Sequence, residues 1–149
     1  MAGARIAVAS DHAGFDLKEL LKRDLLEAGH DVLDLGTNSA TSVDYPDFGH
    51  AMAQAIGSGE AGRGVLVCGT GIGISIAANR HPQVRAALVH DETSARLSRE
   101  HNDANVVAFG QRLIGTETAR ASLKVFLNTA FEGGRHAGRV AKLSKDLTK

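Results

Sequence analysis

The chain has 149 residues with 17 basic and 17 acidic side chains, so its formal net charge is zero. This length fits one domain, and the balanced charge lacks the basic excess of a nucleic-acid-binding domain. A single cysteine, Cys68, excludes a disulfide within the chain. Neither a signal peptide nor an apolar run of about 18 residues is evident, so we expect a cytoplasmic protein that contacts neither membrane nor nucleic acid.

Short aliphatic and β-branched runs alternate with helical patterns along the whole chain. Strands are predicted at residues 5–9, 31–35, 64–68, 84–89 and 106–109. Helices are predicted at 15–26, from 45 to the glycine-rich stretch at 57, from the loop 69–75 to about 79, at 91–99, at 116–131 and from 135 onward. Gly29 is the expected C-cap of the first helix, and Gly133-Gly134 separates the last two.

The alternation predicts an α/β fold, with a five-stranded parallel sheet between two layers of helices in a doubly wound, Rossmann-like arrangement that spans residues 1–149. Such folds bind ligands outside the carboxyl ends of their strands. Asp11 and His12 follow the first strand, and Cys68 ends the third. We therefore expect a functional site at this edge.

The loop Gly69-Thr70-Gly71-Ile72-Gly73 follows Cys68 and leads into a helix. Its spacing departs from the dinucleotide fingerprint at the last glycine, and it lacks the Lys-Ser/Thr pair of a Walker A loop. Alternatively, its amides stabilise a developing oxyanion, and Cys68 acts as a base beside a helix start. A lone cysteine in an apolar strand can also be a small buried hydrophobe, so both interpretations of Cys68 stay open.

Histidines and arginines supply further candidates. His12 and His101 are both expected at the ligand-binding edge. No paired histidine spacing accompanies the lone cysteine, so no metal site is predicted. Arg135 and Arg139 are four apart and share one helix face, where they form either a phosphate grip or a solvated basic face. Arg112 follows the fifth strand and is another candidate.

Five segments, spread from the first strand to the last helix, form a distinctive set. They are Ser10-Asp11-His12-Ala13-Gly14, Asp44-Tyr45-Pro46, residues 68–79 (CGTGIGISIAAN), residues 98–106 (SREHNDANV) and Glu132-Gly133-Gly134-Arg135-His136. Together they resemble one known family, the type B ribose-5-phosphate isomerases and their galactose-6-phosphate and allose-6-phosphate isomerase relatives.

The resemblance implies an aldose–ketose isomerase that acts on ribose 5-phosphate and ribulose 5-phosphate. It implies that Cys68 is the base for proton transfer between C1 and C2, with Thr70 beside it, and that His101 assists opening of the furanose ring. The amides of Gly69–Gly73 are implied to hold the enediolate. The implied substrate contacts are Asp11, His12, Tyr45, Gly69, Thr70, Gly71, Ile72, Gly73, Asn102, Arg112, Arg135 and Arg139.

The resemblance further implies a homodimer or homotetramer, because a second subunit completes the site in this family. No cofactor is expected, since proton transfer through an enediolate needs none. Two alternatives stay open. The substrate is a tetrose or hexose phosphate instead, or the chain is a regulatory phosphoanion-binding domain in which Cys68 is inert.

Overall fold

The computed structural model describes residues 5–145. The strands are β1 (Ile6–Ser10), β2 (Val32–Asp34), β3 (Arg63–Cys68), β4 (Ala86–Leu88) and β5 (Val106–Gly110). The helices are α1 (Phe15–Glu27), α2 (Tyr45–Gly57), α3 (Ile72–Ala78), α4 (Glu92–Glu100), α5 (Thr116–Asn128) and α6 (Arg135–Leu143), and a 3-10 turn at His12–Gly14 precedes α1. None of the helices in this part of the chain is long and apolar enough to cross a membrane.

All five strands are parallel and form one sheet in the order β2-β1-β3-β5-β4. One apolar cluster joins the sheet to α1, α4 and α5, and a second joins it to α2 and α3. Because the helices cover both faces, the predicted three-layer doubly wound fold is confirmed. The chain leaves β1 and β3 toward opposite faces, through α1 and α3, so the switch point lies between these two adjacent strands.

Local patterns explain the elements well, with one correction. Leu17, Leu21 and Leu25 recur at helical spacing and are each at most 3% exposed. Gly29 takes a φ of +89° after α1, as its predicted capping role requires. The fifth helix ends at Asn128 rather than at Phe131, because Thr129 is extended and its carbonyl accepts a hydrogen bond from the buried Arg99 guanidinium.

Candidate functional site

The thiol of Cys68 lies at the carboxyl end of β3 and is 5% exposed. Its Sγ accepts a hydrogen bond from the Gly71 N–H at 3.1 Å. Gly71 has a φ of +77°, and a Cβ there would lie 2.6 Å from Leu88 Cδ1 and 2.9 Å from the Phe109 carbonyl carbon. The loop can curl its amide back to the sulfur only because glycine occupies this position.

The rest of the glycine loop is held by its own contacts and by α2. Thr70 Oγ1 accepts a hydrogen bond from the Ile72 N–H at 3.2 Å. The ring of Tyr45 lies directly over Gly73, where a Cβ would come within 2.5 Å of the ring. The structure therefore brings Thr70, Ile72, Gly73 and Tyr45 together beside Cys68.

Asp11 and His12 lie on the adjacent strand end. The Asp11 N–H donates to the Val67 carbonyl at 3.3 Å, which places it next to the residue before Cys68. Its carboxylate is 6% exposed and accepts a hydrogen bond from the Gly14 N–H. His12 Nδ1 lies 3.1 Å from the Val43 nitrogen and 3.2 Å from the Val43 carbonyl oxygen, so the backbone at Val43 orients the ring through this nitrogen.

Arg112 joins the same edge from the loop after β5. Its N–H donates to the Gly69 carbonyl at 2.9 Å. Its guanidinium passes over Gly69, with Nη1 3.1 Å from where a Cβ would stand. An exposed cation thus lies against the glycine loop and beside the thiol strand.

The remaining candidates lie elsewhere. His101 caps the end of α4, which runs antiparallel to the strands and leads into the start of β5. In the sheet register, Gly64 faces Val106 at the start of β5, whereas Cys68 faces Gly110 at its end. The start of β5, which follows the turn with His101, is thus four strand residues, or about 13 Å, away from Cys68 along the sheet. The expectation that His12 and His101 share one edge is therefore wrong for a single chain.

A second group of candidates gathers around His101 at the amino edge of the sheet. A cavity of about 280 Å³ is lined by His101, Asn102, His136, Arg139, Val140 and Leu143. The Glu132 N–H donates to the Glu100 carbonyl at 3.1 Å, which ties the segment before α6 to the end of α4. Arg139 thus lies with His101 and Asn102, and Arg135 begins the same helix.

His136 is a member of this group that the sequence analysis did not single out. Its ring stacks on that of His101, with centroids 4.3 Å apart and an interplanar angle of 16°. Desolvation by burial lowers the pKa of His136, and the charges of Arg135 and of His101 lower it further. The sequence offered one indication that His136 belongs to the site, which is its position in the Glu132–His136 motif. Its contact with His101 could not be predicted, because the two residues are distant in sequence.

A buried ion pair fixes the turn that carries His101 and Asn102. The Arg99 guanidinium is almost fully buried and contacts Asp103 at 2.7 Å. It also donates to the Ala104 carbonyl at 2.7 Å. Asp103 has a φ of +45°, the left-handed conformation that ends many helices. This clamp holds His101 and Asn102 in the turn between α4 and β5.

The fold and this edge define a doubly wound α/β protein with a thiol, a glycine loop and a cationic side chain at the switch point of its sheet. The chain belongs to the ribose/galactose isomerase family, whose model matches residues 6–143, and it is an isomerase. This confirms the resemblance found in the sequence.

Individual relatives match over nearly their whole length. The chain is 45% identical to ribose-5-phosphate isomerase B of Escherichia coli, over 94% of each protein. It is 40% identical to D-erythrulose-4-phosphate isomerase of Pectobacterium atrosepticum, over 93% of this chain and 91% of that protein. The crystal structure of a ribose 5-phosphate isomerase from Thermotoga maritima shares 51% identity and a TM-score of 0.93, covering 95% of this chain and 97% of that one.

Proposed function

We propose that this isomerase interconverts ribose 5-phosphate and ribulose 5-phosphate through an enediolate, with Cys68 as the base. The observation that carries the proposal is the hydrogen bond from the Gly71 N–H to Cys68 Sγ at the switch point. A donor aimed at sulfur binds a thiolate more strongly than a thiol, because hydrogen bonds to charged acceptors are stronger. The relatives from E. coli and T. maritima carry the name of this reaction.

The proton balance needs no redox partner. The Cys68 thiolate removes the proton from C2 of the open-chain aldose, and the electron pair moves toward the C1 carbonyl to give the enediolate. The Cys68 thiol then returns the proton to C1, while a second proton passes from the C2 oxygen to the C1 oxygen. We propose that this second proton transfer takes place beside the Thr70 hydroxyl, which lies in the same loop as the amides.

Loop amides are the proposed stabilisers of the enediolate. In the free chain the Gly71 N–H is engaged by Cys68 Sγ and the Ile72 N–H by Thr70 Oγ1. An enediolate oxygen can replace these internal acceptors, since its charge makes it the stronger one. The buried Asp11 carboxylate and Tyr45, at the rim of the loop, are proposed to contact the sugar.

Ring opening and phosphate binding are assigned to the other candidates. His101 takes the proton of the C1 hydroxyl and returns one to the ring oxygen, and Asn102 contacts a sugar hydroxyl. The Nε2 of His12 and the guanidinium groups of Arg112, Arg135 and Arg139 bind the phosphate, because charge-assisted hydrogen bonds recognise its oxygens best.

These roles require two copies of the chain, so we propose a homodimer or a higher homo-oligomer with shared sites. One substrate cannot reach Cys68 and His101 of the same chain, because they belong to opposite edges of the sheet. A second copy can bring its His101 edge to the Cys68 edge of the first. Tyr45, Ile72 and Ile76 are 43%, 47% and 58% exposed beside the glycine loop, and they supply apolar surface for such a contact.

Complementation between two inactive variants tests the shared site. Cys68→Ser and His101→Ala are purified separately, mixed, unfolded together and refolded. Random pairing should restore roughly a quarter of the wild-type activity, because half of the dimers are mixed and each mixed dimer holds one intact site. Each variant refolded alone is the control. If the mixture is no more active than the separate variants, the shared site is wrong.

A second candidate substrate is a four-carbon sugar phosphate, which the Pectobacterium relative favours by name. A panel of tetrose, pentose and hexose phosphates with a ketose readout decides between them. The highest kcat/KM for ribose 5-phosphate supports our assignment, and the highest value for a tetrose phosphate replaces it. The cytoplasmic location stays a prediction from the sequence.

A further inference from the structure

The segment after β2 is bound to the end of β1, directly before two of the candidate substrate residues. The Ser10 N–H donates to the Gly36 carbonyl at 2.8 Å, and the Thr37 N–H donates to the Ser10 carbonyl at 2.9 Å. Ser10 is fully buried and immediately precedes Asp11 and His12. These bonds extend the pairing of β1 and β2 beyond both strands, so Gly36 and Thr37 fix where the chain enters the site.

The same segment also contacts the ring of His12. Residues 36–43 form neither helix nor strand, and Val43 at their end lies against His12 Nδ1, with its nitrogen at 3.1 Å and its carbonyl oxygen at 3.2 Å. His12 is therefore held from both ends of this loop, through Ser10 at the start and through Val43 at the end. The place where Gly36 leaves β2 affects both contacts.

The carboxylate of Asp34 fixes the start of this loop. The Gly36 N–H donates to Asp34 Oδ1 at 2.9 Å. Gly36 has a φ of +99°, a conformation that favours glycine, and a Cβ there would lie 3.1 Å from Phe48 Cε1. The backbone thus turns out of β2 in an unusual conformation, and the hydrogen bond to Asp34 stabilises that turn.

Two lysines of α1 orient the Asp34 carboxylate. Lys18 is fully buried, and its Nζ lies 2.8 Å from Asp34 Oδ1 and 3.0 Å from Oδ2. Lys22 Nζ contacts Oδ2 at 2.9 Å. A buried ion pair is weak evidence for a stabilising role, because apolar residues of similar volume are often as stable. What apolar residues could not supply is an oxygen held in one orientation toward Gly36.

We propose that Asp34, oriented by Lys18, is a positioning residue that holds His12 in place for the phosphate of the substrate. It acts through Gly36 and the loop that ends at Val43, and it touches no reacting atom. The effect on substrate rests on the proposed function, because the phosphate-binding role of His12 is itself proposed. The placement of the His12 ring by Asp34 does not depend on that role.

Two double variants separate positioning from stability. Lys18→Met with Asp34→Asn (the acceptor variant) and Lys18→Met with Asp34→Leu (the acceptor-free variant) both remove this ion pair, but only the first keeps an oxygen for the Gly36 N–H. The acceptor-free variant should raise KM for ribose 5-phosphate about tenfold with little change in kcat, because one hydrogen bond to a charged group contributes about ten- to a hundredfold. The acceptor variant should keep KM within about twofold of the wild type. Inhibition by inorganic phosphate should weaken in the same order.

The ring of His12 provides a measurement that needs no turnover. Its imidazole NMR resonances, assigned with His12→Ala, should shift in the acceptor-free variant and stay in place in the acceptor variant. Gly36→Ala keeps both charges but strains the same backbone, so it should shift the resonances and raise KM as well. Asp24→Asn, which breaks the ion pair of α1 with Arg120, is the matched control and should change neither.

The outcomes distinguish this proposal from the proposed function. If His12→Ala raises KM while the two double variants have equal KM values, the positioning role is wrong, and a raised KM in Asp24→Asn contradicts it equally. If the acceptor-free variant fails to fold, Gly36→Ala decides by the same two measurements. If His12→Ala keeps the wild-type KM, the phosphate role of His12 is wrong, and the ring resonances alone decide whether Asp34 positions His12.

Discussion

The Gly71 N–H donates to Cys68 Sγ across 3.1 Å, from a glycine whose φ of +77° disfavours any side chain. This contact holds the sulfur at the switch point of the sheet, where the glycine loop can surround a bound ligand. The proposed proton transfer between C1 and C2 therefore depends on the sulfur atom of Cys68 as the base.

Replacing the sulfur tests the base. Cys68→Ser should lower kcat by about 10²–10⁴, because a hydroxyl is a far weaker base of similar shape. The melting temperature and circular dichroism should stay close to those of the wild type. A folded Ser variant with near-normal turnover would remove Cys68 from the mechanism.

His101→Ala separates ring opening from proton transfer. Ribulose 5-phosphate is already open-chain, so exchange of its C1 proton with solvent skips the ring. We expect this exchange, followed by NMR in D₂O, to be far less affected in His101→Ala than conversion to the cyclic aldose. If His101→Ala exchanges as poorly as Cys68→Ser, the division of roles is wrong.

Arg135→Ala and Arg139→Ala should each raise KM strongly and lower kcat less, because phosphate contacts exist in the ground state and the transition state alike. A hydrogen bond to a charged group contributes about 1.5–3 kcal/mol, so kcat/KM should fall about ten- to a hundredfold. Inorganic phosphate should inhibit the wild type competitively and the variants poorly.

Arg23→Ala is the matched control for these two variants, since Arg23 is an exposed arginine on α1. It should keep the wild-type KM. If Arg135→Ala and Arg139→Ala also keep the wild-type KM, both residues belong to a solvated helix face, and the phosphate is held by Arg112 and His12.

The ion pair between Lys18 and Asp34 should make stability depend on pH. Lys18 is fully buried and contacts Asp34 at 2.8 Å, and Asp34 also accepts the Gly36 N–H. Burial raises the pKa of Asp34, but hydrogen bonds from Lys18, Lys22 and Gly36 outweigh it and hold the pKa below its usual value. The paired carboxylate thus stabilises the fold at neutral pH.

The direction of this pH dependence follows from the lowered pKa of Asp34. The stabilisation is complete above the pKa of Asp34 in the unfolded chain and is lost as pH falls through the lower value in the folded chain. Asp34→Asn should reduce the free energy of unfolding by about 1.5–3 kcal/mol at pH 7. Denaturant titrations should show this difference shrinking in acid, and a difference that is constant with pH would contradict the assignment.

The sequence alone determined the local features of the protein. Alternating strands and helices, the glycine loop after Cys68 and the cap at Gly29 depend on residues a few positions apart, so pattern and conformational preference predict them. The family followed from the same segments. The end of α5 could not be predicted in this way, because it depends on a hydrogen bond that the Arg99 guanidinium, distant in sequence, donates to the Thr129 carbonyl.

Only the tertiary structure decided which of these segments meet. Strand order places β5 between β3 and β4, and the direction of α4 places His101 at the edge opposite Cys68. His136 reaches His101 through the packing of the segment before α6 against α4. Such contacts join residues distant in sequence and depend on which helix faces pack against each other, which no local pattern encodes.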